Sequence, residues 1–284
     1  MLIWALLSSV IFVASNIFIR FYLGSVHWLS LIWSRALGAA LILGFLVYFD
    51  DPEELLLSYF TEIGNRPLLW LLTLSTGFLG IWGFVKSIKL LPLYIVIPFS
   101  TLNLVTVLVS HFRLDFPIEN VTLIGLFLGI VGLFFLFKSH YSSKNKSGWH
   151  WMILCVTSWG LAYPLSQSLI QSTSPIFFAT AMEVSVVLGA SLLLVSLNKS
   201  KRRQVLSTLP SPVFYSCMVA LLVLGVICDG IARESVSPIS MLAFAGFSEI
   251  GVLVLGHFFY QEQLKPIQWL GAFLTFVAMF LVLA

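Results

Sequence analysis

The sequence predicts an all-α integral membrane protein of ten transmembrane helices, built as two inverted five-helix repeats. Three observations predict it. Hydrophobic residues make up 59% of the 284 and charged residues only 10%, with a mean hydropathy of +1.02. Soluble domains average about 25% charged, so a water-exposed fold could not cover this surface. The apolar residues fall into ten stretches of about the twenty residues that a helix needs to cross a bilayer core. Finally, residues 91–137 and 237–283 align without a gap at an offset of 146. That register pairs Pro92 with Pro238, His111 with His257, Phe112 with Phe258 and Gly125 with Gly271. Phe and Leu coincidences are common in apolar sequence. Pro, His and Gly coincidences in one register mark a duplicated unit.

In chain order the predicted spans are 2–19, 28–48, 67–88, 92–112 and 121–137, then 149–170, 175–196, 212–232, 238–259 and 267–283. Backbone groups inside a bilayer must be satisfied within their own segment, so spans of this length are helices. The first span has no basic n-region and reads as a transmembrane helix, not a leader. Residues 52–63 place Leu55, Leu56, Tyr59, Phe60 and Ile63 on one side, as either an interfacial helix or a plain loop. The chain divides into a first repeat at 1–137, a basic polar linker at 138–148 and a second repeat at 149–284. An odd number of spans per repeat inserts the second copy upside down, the plan of secondary transporters with a midplane site between the halves.

Charge on the loops sets an orientation. Eleven of the fifteen Lys and Arg lie on odd-numbered loops, with the densest cluster at Lys199, Lys201, Arg202 and Arg203. The even loops carry Arg66, Arg113 and Arg233, and the loop after the second span is acidic. Lys and Arg accumulate on cytoplasmic loops, which puts the odd loops inside and both termini outside. The net charge of +3 is too small to imply a nucleic-acid partner. Cys155, Cys217 and Cys228 all sit in apolar spans, so they provide neither a disulfide framework nor a metal-ligand spacing. No P-loop, dinucleotide-binding glycine pattern or HExxH motif is present. Neither an enzyme nor a cofactor-binding protein is expected.

Charges within spans are costly and are functional candidates by default. Arg35 and Glu183 occupy matching places, each about eight residues into the second span of its repeat. They read either as a substrate clamp, with Arg35 on a carboxylate or phosphate and Glu183 on an amine or proton, or as a buried pair that neutralises itself. Glu249 lies mid-span with Asn103 as its repeat-mate. A buried carboxylate with a raised pKa can exchange protons near neutral pH, which makes Glu249 the proton-coupling candidate and Asn103 a polar cavity group. Asp229, beside Arg233 and Glu234 at a span end, reads as a water-facing interfacial pair. Trp82, Tyr94, Trp159 and Tyr163 are candidates for a cavity wall, and Pro98 and Pro164 interrupt spans. Lys86 and Lys89 are expected to snorkel. Gly125 and Gly129 form a GxxxG face, packed within the monomer or, alternatively, against a second copy.

The closing segment carries a resemblance. His257-Phe258-Phe259-Tyr260-Gln261-Glu262-Gln263-Leu264, followed by Gln268-Trp269-Leu270-Gly271-Ala272, is similar to the end of a repeat in the EamA-type members of the drug/metabolite transporter superfamily, with Glu262 at the hinge glutamate. Thr157-Ser158-Trp159-Gly160 matches the family's Trp-Gly, and Arg35 falls where its second span often has an arginine. The first half departs from the pattern, with Phe116 at the hinge position and Val10-Ile11 at the Trp-Gly. The resemblance covers essentially the whole chain. It implies a ten-helix transporter in a cell membrane, the inner membrane of a bacterium, with a small-molecule substrate and surrounding lipid as partners. A lipid-linked flippase of the same superfamily is the alternative, and an integral-membrane lipid enzyme is a third reading. The superfamily is usually drawn with both termini cytoplasmic, opposite to the charge distribution, and the sequence leaves both orientations open.

Overall fold

The structure is a computed structural model and describes residues 2–50, 53–93, 95–96, 106, 109–110, 119–138, 146–234, 236, 241, 251, 258 and 265–283. Every element among the described residues is a helix: α1 (Leu2–Tyr22), α2 (Trp28–Asp50), α3 (Glu53–Asn65), α4 (Pro67–Leu90), α5 (Asn120–Lys138), α6 (Lys146–Ser172), α7 (Pro175–Ser196), α8 (Lys199–Leu206), α9 (Pro212–Arg233) and α10 (Pro266–Leu283). Six of them, α1, α2, α4, α6, α7 and α9, are long and apolar enough to cross a membrane, while α5 and α10 carry shorter apolar stretches. The expected spans at 92–112 and 238–259 lie largely outside the described residues, so the count of ten does too. So does most of the hinge at 257–264, with His111 and Pro98.

Local chemistry explains where the helices start. Pro67, Pro175, Pro212 and Pro266 each open one, a position where the missing N–H costs nothing and φ is already helical. Ser174 accepts from the Phe177 N–H, capping α7. Pro164 does not break α6. It leaves the carbonyl four residues earlier without its helical donor, and that Gly160 carbonyl accepts from the Thr106 hydroxyl at 3.3 Å. The segment at 52–63 is helical as α3, with Tyr59 buried against Phe177 at 4.7 Å between ring centroids. Phe60, expected on the same side, is 63% exposed.

The helix α8 was not foreseen, because it has no apolar stripe to reveal it. It forms because Asn198 caps it, accepting from the Lys201 N–H at 2.9 Å. Arg202 turns back to donate to the Leu194, Val195 and Leu197 carbonyls. These carbonyls lie at the end of α7, where helical donors run out, and the Leu194 carbonyl also accepts from the Leu197 N–H.

Among the described residues, the most extensive helix contacts are α5 on α10, α4 on α6, α2 on α7 and α1 on α9. Small residues set the closest approaches. A Cβ on Gly83 would lie 2.7 Å from both the Cys155 nitrogen and the Trp151 carbonyl of α6. At the α5–α10 crossing, a Cβ on Gly132 or on Gly271 would lie 2.7 Å from the other's carbonyl oxygen. Gly125 and Gly129 lie on the same buried side of α5, so the GxxxG face serves packing inside the chain. The opposite sides of this pair show Phe127 and Phe273, 66% and 61% exposed, as expected of a helix surface facing lipid.

Contacts sort the helix ends onto two faces. On one, the His27 N–H donates to Thr208 at 3.1 Å, Arg20 donates to the Ile88 carbonyl, and Gly148 lies against Leu90 and Leu91. On the other, Ser172 donates to Glu62 at 3.1 Å and Gly230 lies against Pro175. The turn at 173–174 marks this second face.

Candidate functional site

Between α1, α2, α4, α6, α7 and α9 lies a cavity of about 250 Å³. Most of its wall is apolar, with Phe12, Phe84, Phe178 and Met182 among the lining side chains. Set into that wall are two ion pairs of different build.

Arg35 on α2 and Glu183 on α7 meet across the helix interface, Nη2 to Oε1, at 3.8 Å, with side chains only 7% and 8% exposed. The separation is too long for a hydrogen bond. Among the described residues, Arg35 Nε and Glu183 Oε2 have no hydrogen-bond partner. Both helices supply the pair because α2 and α7 pack face to face, and Trp33 Nε1 donates to Ser191 Oγ at 3.0 Å in the same seam.

Asp229 and Arg233 sit one turn apart on α9, with Oδ2 and Nη2 at 2.6 Å. Arg233 Nη1 donates to Ser166 Oγ of α6 at 2.8 Å, and its guanidinium lies 4.1 Å over the Tyr163 ring. Only Nε of Arg233 lacks a hydrogen-bond partner among the described residues. The expectation that Asp229 faces water at the interface is corrected here. Its side chain is 13% exposed and lines the cavity.

The remaining candidates separate clearly. Trp159 and Tyr163 line the cavity with Arg35 and Glu183. Trp82 is not among the lining residues. It sits in an aromatic cluster with Phe78, Trp28 and Trp151, stacked on Trp28 at 6.2 Å, and Lys86 Nζ lies 4.0 Å over the Trp28 ring. Tyr94, Asn103 and Glu249 lie outside the described residues. Among the described residues, no cluster of three or more His, Cys, Asp or Glu side chains could hold a metal ion.

Sequence reasoning missed Ser15 and Asn16, a polar pair on α1 that lines the cavity. Two adjacent polar residues within an apolar span were the signal. It also missed Ser166, whose spacing of three from Tyr163 puts both on one side of α6. Outside the spans, burial first and then Lys89 and Lys86 hold the His27 imidazole below its usual 6.5. Its Nδ1 accepts from the Leu29 N–H at 3.2 Å and so caps α2.

In chemical terms the cavity can hold an anionic group at a guanidinium and a cationic group at a carboxylate, against an apolar wall. No curated protein matches the sequence. One solved structure, titled only as the crystal structure of a protein, is similar over 98% of this chain and 95% of its own, with a TM-score of 0.66 at 12% identity. That likeness concerns the fold alone. The EamA-like transporter family matches residues 1–138 and again residues 146–284. With nearly its whole length matched in two copies, the chain belongs to the EamA-like transporter family of the drug/metabolite transporter superfamily and is a multi-pass membrane transporter.

Proposed function

We propose that the chain is a secondary transporter of a small polar metabolite, with Arg35 and Glu183 as the substrate clamp. The observation that carries this is the loose pair itself. Two desolvated, opposite charges stand 3.8 Å apart with an open acceptor and an open donor, in a cavity wall that offers them little else. Leaving buried charges incompletely paired is expensive. A carboxylate or phosphate on Arg35 and an amine on Glu183 would complete both.

Size and charge narrow the substrate. At about 250 Å³, the cavity lies just below the roughly 300 Å³ at which pockets for drug-sized ligands begin. That volume suits an amino acid or a compound of similar size. Among the described lining residues, two guanidinium groups balance two carboxylates, which favours a net-neutral zwitterion over the polyanionic headgroup of a lipid-linked flippase substrate.

Alternating access between inverted halves, 1–137 and 149–284 joined by the linker 138–148, is the mechanism we infer. The helix pairing supports it. Exchanging the first, second, third and fifth spans of one half for those of the other turns the α4–α6 pair into α9–α1. The same exchange leaves α2–α7 and α5–α10 unchanged, as a two-fold axis in the membrane plane requires. A cell membrane, the inner one in a bacterium, is the location that accompanies this reading. The test is uptake into proteoliposomes of a panel of amino acids and small organic phosphates, with and without a pH gradient. The proposal expects at least one compound whose uptake Arg35→Ala abolishes. Uptake unaffected by Arg35→Ala would overturn the clamp, and the gradient separates proton coupling from exchange.

A further inference from the structure

The network around Arg233 is unused by the clamp, yet it lies in the same wall. The helices α6 and α9 line the cavity from two sides and touch only sparingly. Toward the face of the 173–174 turn, Arg233 Nη1 donates to Ser166 Oγ of α6 at 2.8 Å, and the guanidinium lies 4.1 Å over Tyr163. Next to it, α9 closes on the start of α7, where a Cβ on Gly230 would lie 2.9 Å from Pro175. Glu183 lies two turns farther along α7 from that end, so the network stands between that face and the clamp along this side of the cavity.

We propose that Arg233 is an access latch, held in position by Asp229, that joins α6 to α9 and closes the cavity on the face of the 173–174 turn. The construction suits that role. Asp229, on the same helix at 2.6 Å, fixes the direction of the guanidinium without linking any two helices, so it is a positioning residue. The bonds to α6 are the ones that must break for the helices to part. One of them ends on a neutral hydroxyl and the other is a ring face. Both are weaker than a second ion pair between the helices would be, which leaves the latch able to open. The clamp has no such construction, since its two charges meet directly across α2 and α7.

The inference rests on the reading of the cavity as the substrate path, but its test uses no substrate. Cys155, Cys217 and Cys228 are replaced by alanine, Ala179→Cys is introduced in the cavity wall, and maleimide labelling is timed in sealed vesicles from each side. Losing a hydrogen bond to a charged group shifts a two-state opening about tenfold. Arg233→Gln should therefore raise labelling about tenfold from the face of the 173–174 turn alone. Ser166→Ala should raise it in the same direction, and it serves as the deciding variant if Arg233→Gln does not give a monodisperse protein. Rates that stay within twofold of the parent, or that rise equally from both sides as general loosening would produce, overturn the latch. Failure of the wild type to take up any compound would overturn the transport reading and leave this comparison standing.

Discussion

The two ion pairs of the cavity use the same chemistry in opposite ways. Asp229 and Arg233 share one helix at 2.6 Å, and Ser166 and Tyr163 take up much of what Arg233 can still offer. Arg35 and Glu183 come from two helices, stop at 3.8 Å and each retain an open atom. Among the described residues, only Arg233 Nε stays open in the tight pair, whereas the loose pair keeps an open atom on each partner and no hydrogen bond between them. The difference teaches that burial of a charge does not by itself mark a binding group. What marks it is the bonding capacity left over after the protein has bonded to itself.

The largest effects should come from splitting the loose pair. Arg35→Ala leaves Glu183 buried without its partner, a change worth about 3–5 kcal/mol. The thermal midpoint in detergent should fall steeply and uptake should vanish. A next, smaller effect is expected at the scaffold. Gly271→Val pushes a side chain onto the Gly132 carbonyl and should cost about 1–3 kcal/mol of stability. The fraction that remains folded should bind substrate normally, and a change in affinity there would blur the line between site and scaffold.

Asp229→Asn tests the tighter pair. It weakens the charge-assisted bond to Arg233 and should cost about 1–2 kcal/mol. Transport rate should change while equilibrium substrate affinity stays within about threefold of wild type, since the clamp is untouched. A loss of affinity equal to that of Arg35→Ala would make both pairs substrate ligands. The smallest effect is a pH dependence far from either pair. His27 has its pKa lowered in the fold relative to 6.5, so the unfolded chain takes up its proton first. Stability from this group is therefore complete above about pH 6.5 and declines as pH falls below it. His27→Asn keeps a capping side chain and should flatten that part of a midpoint-against-pH curve.

Much of the fold was legible because bilayer physics makes span length and apolarity nearly sufficient. Predicted spans such as 28–48, 67–88 and 175–196 coincide with α2, α4 and α7 to within two residues at each end. The site was legible in part. Arg35 and Glu183 could be paired from their matching depths in the two halves, and the structure places them 3.8 Å apart. Asp229 was misread because position near a helix end was taken for exposure, whereas its side chain turns into the cavity between the helices. The helix α8 escaped notice because a cap and a back-folded Arg202 hold it, and neither leaves an apolar period in the sequence.

Stability and uptake of the double variant Arg35→Met with Glu183→Leu decide whether the loose pair binds substrate. Replacing a buried ion pair by apolar side chains of similar size is commonly neutral or stabilising, by up to about 4 kcal/mol. The expected result is a thermal midpoint at or above that of the wild type, together with complete loss of uptake of the compound identified in the panel. A stable double variant that still transports it would contradict the account and reduce the loose pair to scaffold.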